Sequence, residues 1–178
     1  MRKPFRLAFA AAALLAASLV TVHAAEMLPI VGEVAPAFTL PSQTGAQISL
    51  KSFRGKWVVL YFYPRDMTTG CTIEAHNFQR DLKQYEALNA VILGVSVDSV
   101  DSHKEFCAKD GFTFHLLSDT KHNVVAEYGS LDSLKGVSIA SRNTFLIDPQ
   151  GRIAKVWTNV DPAVHSSEVL AALKELKE

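Results

Sequence analysis

Residues 57–63, WVVLYFY, are all apolar or aromatic; the run stops at Pro64, and seven residues later comes Cys71, one of only two cysteines in the chain. A run this long with no polar alternation fits a strand buried on both faces, and proline, having no backbone N–H, ends it. Such a strand needs other structure packed above and below it.

The remaining sequence supplies those layers, because strand-like and helix-like periodicities alternate along it. The stretch AFTLPSQTGAQISL predicts two short strands around a turn at Thr44 and Gly45. From Cys71 to Asn89, Phe78, Leu82, Tyr85 and Leu88 recur at helical spacing with charge on the other face. AVILGVSVD is a second buried strand. Ser102, with Glu105 three residues on in capping-box spacing, predicts the N-cap of a helix through Lys109 that Gly111 closes. TFHLLSD reads as a third strand and HNVVAEYG as a short helix closed by Gly129. NTFLIDPQGRIAKVW is a hairpin turning at Asp148 to Gly151, and residues 161–177 form a terminal amphipathic helix. The order β-β-β-α-β-α-β-α-β-β-α predicts an α/β chain of thioredoxin-like fold, with a mixed central sheet and helices on both faces.

Residues 1–24 stand apart and have the layout of a secretory signal peptide. Arg2, Lys3 and Arg6 precede an uncharged run from Leu7 to Val22, and Val22 and Ala24 suit the small-residue pockets of a signal peptidase. Cleavage is expected after Ala24, leaving one domain over residues 25–178 in the periplasm or secreted, with no membrane attachment. The rival reading is an uncleaved anchor, for which the run falls short of the roughly 20 residues that cross a bilayer. The 18 basic and 18 acidic residues balance, and removing the three basic charges of the signal leaves 15 against 18, or −3. Lys and Arg form no stripe, which excludes a nucleic-acid partner. Two cysteines in an exported chain first suggest a structural disulfide, but a domain of about 150 residues is large enough to be held by its core.

The position of Cys71 suggests chemistry instead. It falls in the first turn of a helix that follows a buried strand, where unpaired N–H groups and the helix dipole favour a thiolate. Thr68 offers a hydroxyl on the approach loop, and Pro64 stiffens that loop while restricting Tyr63 before it.

Pro64-x-x-x-Thr68-x-x-Cys71 after VVLYFY resembles the active-site motif of the peroxiredoxins and is most similar to their peroxiredoxin Q (bacterioferritin comigratory protein) branch. The resemblance extends from VGEVAPAFTL through HKEFCAKDGFTFHLLSD to NTFLIDPQGRI. It implies a peroxidatic Cys71, a Thr68 that hydrogen-bonds the peroxide, a shielding Pro64, and Arg142 completing the pocket. The thiolate attacks one peroxide oxygen, fixed donors stabilise charge on the other, and Cys71 is left as a sulfenic acid that needs a thiol. Three positions depart from the branch. Thr69 and His115 replace prolines, and His76 stands where many members carry the resolving cysteine. Cys107 matches the less common placement of that cysteine on the next helix. An intramolecular disulfide between Cys71 and Cys107 is implied, with local unwinding to bring the Cα atoms within about 7 Å. The resemblance also implies hydroperoxide substrates, a thioredoxin-like or glutaredoxin-like reductant protein, a monomer, and no haem, flavin or metal cofactor.

Plainer readings stand beside these. Cys71 is otherwise an inert buried thiol, Arg142 a surface charge, Thr68 an ordinary loop hydroxyl and Cys107 a small hydrophobe facing the core. Glu74 either orients Arg142 through a salt bridge or is a solvated first-turn carboxylate, and His76 reads as a helix-surface residue. Two other function classes remain. One is a thiol-disulfide oxidoreductase on the same fold, weakened because Glu74 occupies the second cysteine of a C-x-x-C. The other is a non-enzymatic metal-handling module using Cys71 with His76 and His103 with Cys107.

Overall fold

A computed structural model describes residues 27–177; the expected signal peptide lies outside the described residues. The central sheet has five strands in the order β5-β4-β3-β8-β9, with β3 (Trp57–Phe62) in the middle. It is mixed: β3, β4 (Ala90–Ser96) and β5 (His115–Ser118) run parallel, whereas β8 (Thr144–Ile147) is antiparallel to both β3 and β9 (Ile153–Trp157). A small hairpin of β1 (Thr39–Pro41) and β2 (Gln47–Ser49) precedes it.

The alternation of β3 explains the two layers. Val58, Leu60 and Phe62 pack with Phe145, Ile147 and residues of α3 (Asn123–Glu127) on one face. Val59, Tyr61 and Tyr63 pack on the other with α1 (Thr69–Ala87), α2 (Val100–Asp110) and α4 (His165–Glu175). Helices therefore cover both faces, as the thioredoxin-like reading requires. Phe78 and Tyr85, predicted to face inward on α1, are fully buried, each contributing on the order of 1.5–3 kcal/mol relative to exposure. The Tyr85 hydroxyl also donates to the Ser166 carbonyl at 2.7 Å, tying α1 to α4.

The starts of α2 and of the last helix differ from expectation. The N-cap of α2 is Ser99, whose side chain accepts the Ser102 N–H; Ser102 lies inside the helix and turns its own hydroxyl to Asp66. Gly111 does close α2, in the left-handed conformation. The last helix starts at His165 rather than Asp161, because the Asp161 carboxylate accepts the Ala163 N–H and holds residues 161–164 in a turn. A further hairpin, β6 (Leu131–Leu134) and β7 (Val137–Ala140), was not expected. Its two-residue turn is Lys135-Gly136, both at positive φ, a hairpin geometry more usually marked by Asn-Gly. Among the described residues, no helix is long and apolar enough to cross a membrane.

Candidate active site

The loop from β3 into α1 is built around an inward-turned carboxylate. Asp66 Oδ1 accepts the Tyr63 hydroxyl, and Oδ2 accepts the Ser102 hydroxyl and His103 Nδ1, each at 2.7 Å. The Asp66 backbone N–H donates to Asp98 at 2.9 Å. Met67 follows at φ 57°. A left-handed non-glycine residue costs roughly 1–2 kcal/mol, an amount that bonds to a buried carboxylate, about 1.5–3 kcal/mol each, readily offset. Thr68, in extended backbone, then starts α1 as its N-cap residue, and Cys71 is the third residue of the helix. The thiol thus sits among the N–H groups of the first turn, which have no intrahelical acceptor.

Strand register brings in Arg142. Tyr61 pairs with Thr144, and the Phe62 N–H donates to Asn143, so the residue before this pair lies beside the loop leaving β3. Arg142 Nη2 donates to Cys71 Sγ at 3.3 Å and Nη1 to Glu74 Oε2 at 2.7 Å. A guanidinium at this distance stabilises negative charge on the sulfur or on an atom bonded to it.

Glu74 is 1% exposed, which overturns the solvated reading of this carboxylate. Burial pushes its pKa up to about 7, and the pull of Arg142 in the other direction is too weak to restore an ordinary value. Oε1 has no hydrogen-bond partner, so one guanidinium bond carries the whole compensation for a buried carboxylate.

Pro64, Thr68, Gly70 and Arg142 line a groove of about 850 Å³ whose opposite wall is the β6–β7 hairpin, with Leu134 and Val137 exposed at its tip. Cys71 lies behind Arg142 at 1% exposure. The Thr68 hydroxyl donates to the Arg65 carbonyl at 3.0 Å; to serve a bound oxygen as expected, it must release that carbonyl.

Cys107 lies half-buried on α2, against the same apolar cluster that contains Cys71, and both cysteines are free. Burial, and after it the charge of Asp66, push the Cys107 thiol up to about 11. Where it stands, the group is a protonated thiol at neutral pH. His103 does not join Cys107 as a ligand pair but bonds Asp66. His76 sits half-exposed on the helix surface against Asp110 and Phe112. No three His, Cys, Asp or Glu side chains gather as a metal site among the described residues.

Sequence reasoning missed Asp66 and the part played by Gly70. An acidic residue two positions after the loop proline, facing a Ser-His pair at the start of α2, was the available signal for the first. A glycine inside the first turn of a helix, where alanine is the better helix former, was the signal for the second.

Residues 31–156 match the AhpC/TSA family. The chain is 42% identical over 146 residues to peroxiredoxin Bcp of Xanthomonas campestris pv. campestris, covering 79% of this chain and 91% of the relative. Its fold is similar to that of a cysteine-to-serine mutant of Xylella fastidiosa PrxQ (TM-score 0.81, 37% identity, 85% of this chain and 99% of the other). It is also similar to the bacterioferritin comigratory protein of Xanthomonas campestris, solved as trapped intermediate/ligand complexes in connection with its alkyl peroxide reduction activity (TM-score 0.75, 39% identity, 79% and 92% coverage).

Proposed function

The chain belongs to the AhpC/TSA family, in the peroxiredoxin Q/Bcp branch, and is a thiol-dependent peroxidase; on that footing we propose how its own residues carry the reaction. Cys71 is the peroxidatic thiol. Its sulfur attacks one oxygen of the hydroperoxide, the O–O bond breaks, and the departing oxygen takes a proton to leave as water or an alcohol. Cys71 becomes a sulfenic acid. Arg142 stabilises the sulfur anion before the attack and the developing oxygen charge during it, Thr68 donates to the bound peroxide, and Pro64 walls the groove. The observation that carries this reading is the Arg142 Nη2 bond to Cys71 Sγ in the first turn of α1.

Cys107 is the resolving thiol. It condenses with the sulfenic acid to give an intramolecular disulfide and water, and a thioredoxin-like dithiol protein returns both cysteines to thiols. The support is its place on α2 beside the cluster that holds Cys71. Hydrogen peroxide and small organic hydroperoxides are the substrates, which the mixed polar and apolar groove suits; the protein works as a monomer and needs no metal or organic cofactor. Residues 1–24 direct export and are removed, so the reductant is an exported one. The basic front and apolar run support this, and the mass of the protein from its native envelope fraction tests it: an intact Met1 on soluble cytoplasmic protein contradicts export.

Peroxide consumption with dithiothreitol tests the enzymatic assignment. The wild type should turn over, and Cys71→Ser should lose all but a trace of the rate. A variant that keeps a substantial rate removes Cys71 from the chemistry.

A further inference from the structure

We propose that Asp66 and His103 form a positioning pair that clamps the helix carrying Cys107 to the loop before Cys71, and that this clamp sets how fast the sulfenic acid becomes a disulfide. The inference rests on Cys107 being the resolving thiol.

The two side chains are 1% and 0% exposed and joined at 2.7 Å. Asp66 belongs to the loop that delivers Cys71 to α1; Ser102 and His103 lie in the first turn of α2. Cys107 is four residues after His103, and so on the same side of that helix. His103 Nε2 is buried without a partner. The ring is therefore held through Nδ1, to Asp66 at 2.7 Å and, more weakly, to the Tyr63 hydroxyl at 3.3 Å. Moving α2 away from the loop strips two of the three side-chain donors from a buried carboxylate, leaving Tyr63 alone. Few groups in the molecule are costlier to leave unpaired. A polar tie directly between the two thiol-bearing helices, His76 to Asp110 at the far end of α2, involves a half-exposed histidine and yields more readily to water.

In this proposal resolution uses that movement. The Cys107 sulfur, as thiolate, attacks Sγ of the Cys71 sulfenic acid; the S–S bond forms, the S–O bond breaks, and the oxygen leaves as water carrying the proton lost by Cys107. No outside oxidant or reductant takes part. In the clamped state burial and the Asp66 charge keep Cys107 protonated, and lifting α2 removes both influences. One contact thus holds α2 against the loop before Cys71 and keeps the second thiol silent until α2 opens.

The test follows the reduced full chain after one equivalent of hydrogen peroxide by rapid quenching, thiol alkylation and mass spectrometry, which separates sulfenate formation from disulfide formation. His103→Leu removes the donor; His103→Asn keeps a nitrogen donor near Nδ1. Disulfide formation should be roughly tenfold faster in His103→Leu, the size of a lost bond to a charged group, and within about threefold of wild type in His103→Asn, a difference no larger than one weak hydrogen bond makes. Sulfenate formation should stay within about threefold of wild type in both, because Tyr63 and Asp98 still hold the loop. Ser102→Ala, which removes one donor at the helix edge, should accelerate disulfide formation by about threefold and serves if His103→Leu does not fold. Equal disulfide rates in wild type and variants, or a slower rate in His103→Leu or Ser102→Ala, overturn the clamp. A wild type that consumes peroxide yet keeps Cys107 free overturns the resolving role of Cys107 and the clamp with it.

Discussion

A Cβ added at Gly70 would lie 2.7 Å from Nη2 of Arg142, the same nitrogen that donates to Cys71 Sγ. The glycine is the space through which the guanidinium reaches the sulfur. Gly70→Ala should therefore displace Arg142, the mobile end of a long side chain, rather than the backbone. Alanine is favoured over glycine inside a helix by about 1 kcal/mol, which offsets part of the loosened Arg142 bond to buried Glu74, so the melting temperature should change little while the second-order rate with peroxide falls by roughly ten- to a hundredfold, part of the effect of losing a transition-state donor. Thermal denaturation and stopped-flow kinetics on the same protein check the two halves separately.

Removing the guanidinium outright should cost more. Arg142→Ala is expected to slow the peroxide step by about 10²–10³-fold without changing how fast the sulfenic acid, once formed, becomes a disulfide. It also leaves Glu74 buried and without its donor. A rate of sulfenate formation equal to wild type would take Arg142 out of the site.

The central strand, the helix after it and the placement of Cys71 in its first turn were legible because each is local. A run of β-formers, a proline stop and a 3.6-residue period act over a few residues, and the structure bears them out at β3 and α1. The capping of α2 was misplaced because Ser99 and Ser102 are both cap-forming residues, and only the tertiary partner Asp66 decides which one turns its side chain away. The β6–β7 hairpin went unread because Lys-Gly is a weak turn signal and its strands are largely exposed. Glu74 could be drawn towards Arg142 on paper, but its burial depends on β8 pairing with β3 across more than eighty residues of chain, and no pattern near Glu74 records it.

That burial makes stability depend on pH. The folded protein raises Glu74 from 4.5 to about 7, so between those values the folded state binds more protons than the unfolded one, and stability falls as pH rises through the window. Above about pH 7 the full penalty is present, on the order of 3 kcal/mol. Glu74→Gln keeps an acceptor for Arg142 but does not titrate. Urea midpoints measured from pH 4.5 to 8 should show wild type losing ground to Glu74→Gln as pH rises and a constant gap beyond neutrality; parallel curves would contradict the raised pKa of the buried carboxylate.

Without a second thiol the sulfenic acid on Cys71 has no internal partner. Cys107→Ser should react with the first equivalent of peroxide at the wild-type rate, stop at the sulfenic acid, and pass to sulfinic acid when peroxide is in excess. Intact mass reads these as gains of one and then two oxygens. A variant that still turns over with a dithiol protein at the wild-type rate would make this a one-cysteine enzyme.

The most direct test of the two-thiol mechanism is peptide mapping of the reduced full chain after one equivalent of hydrogen peroxide. The expected product is a monomer two hydrogens lighter, with the peptide containing Cys71 joined to the peptide containing Cys107 and neither thiol open to alkylation. A Cys71 that remains an alkylatable thiol while peroxide is consumed would contradict its role as the peroxide-reacting sulfur.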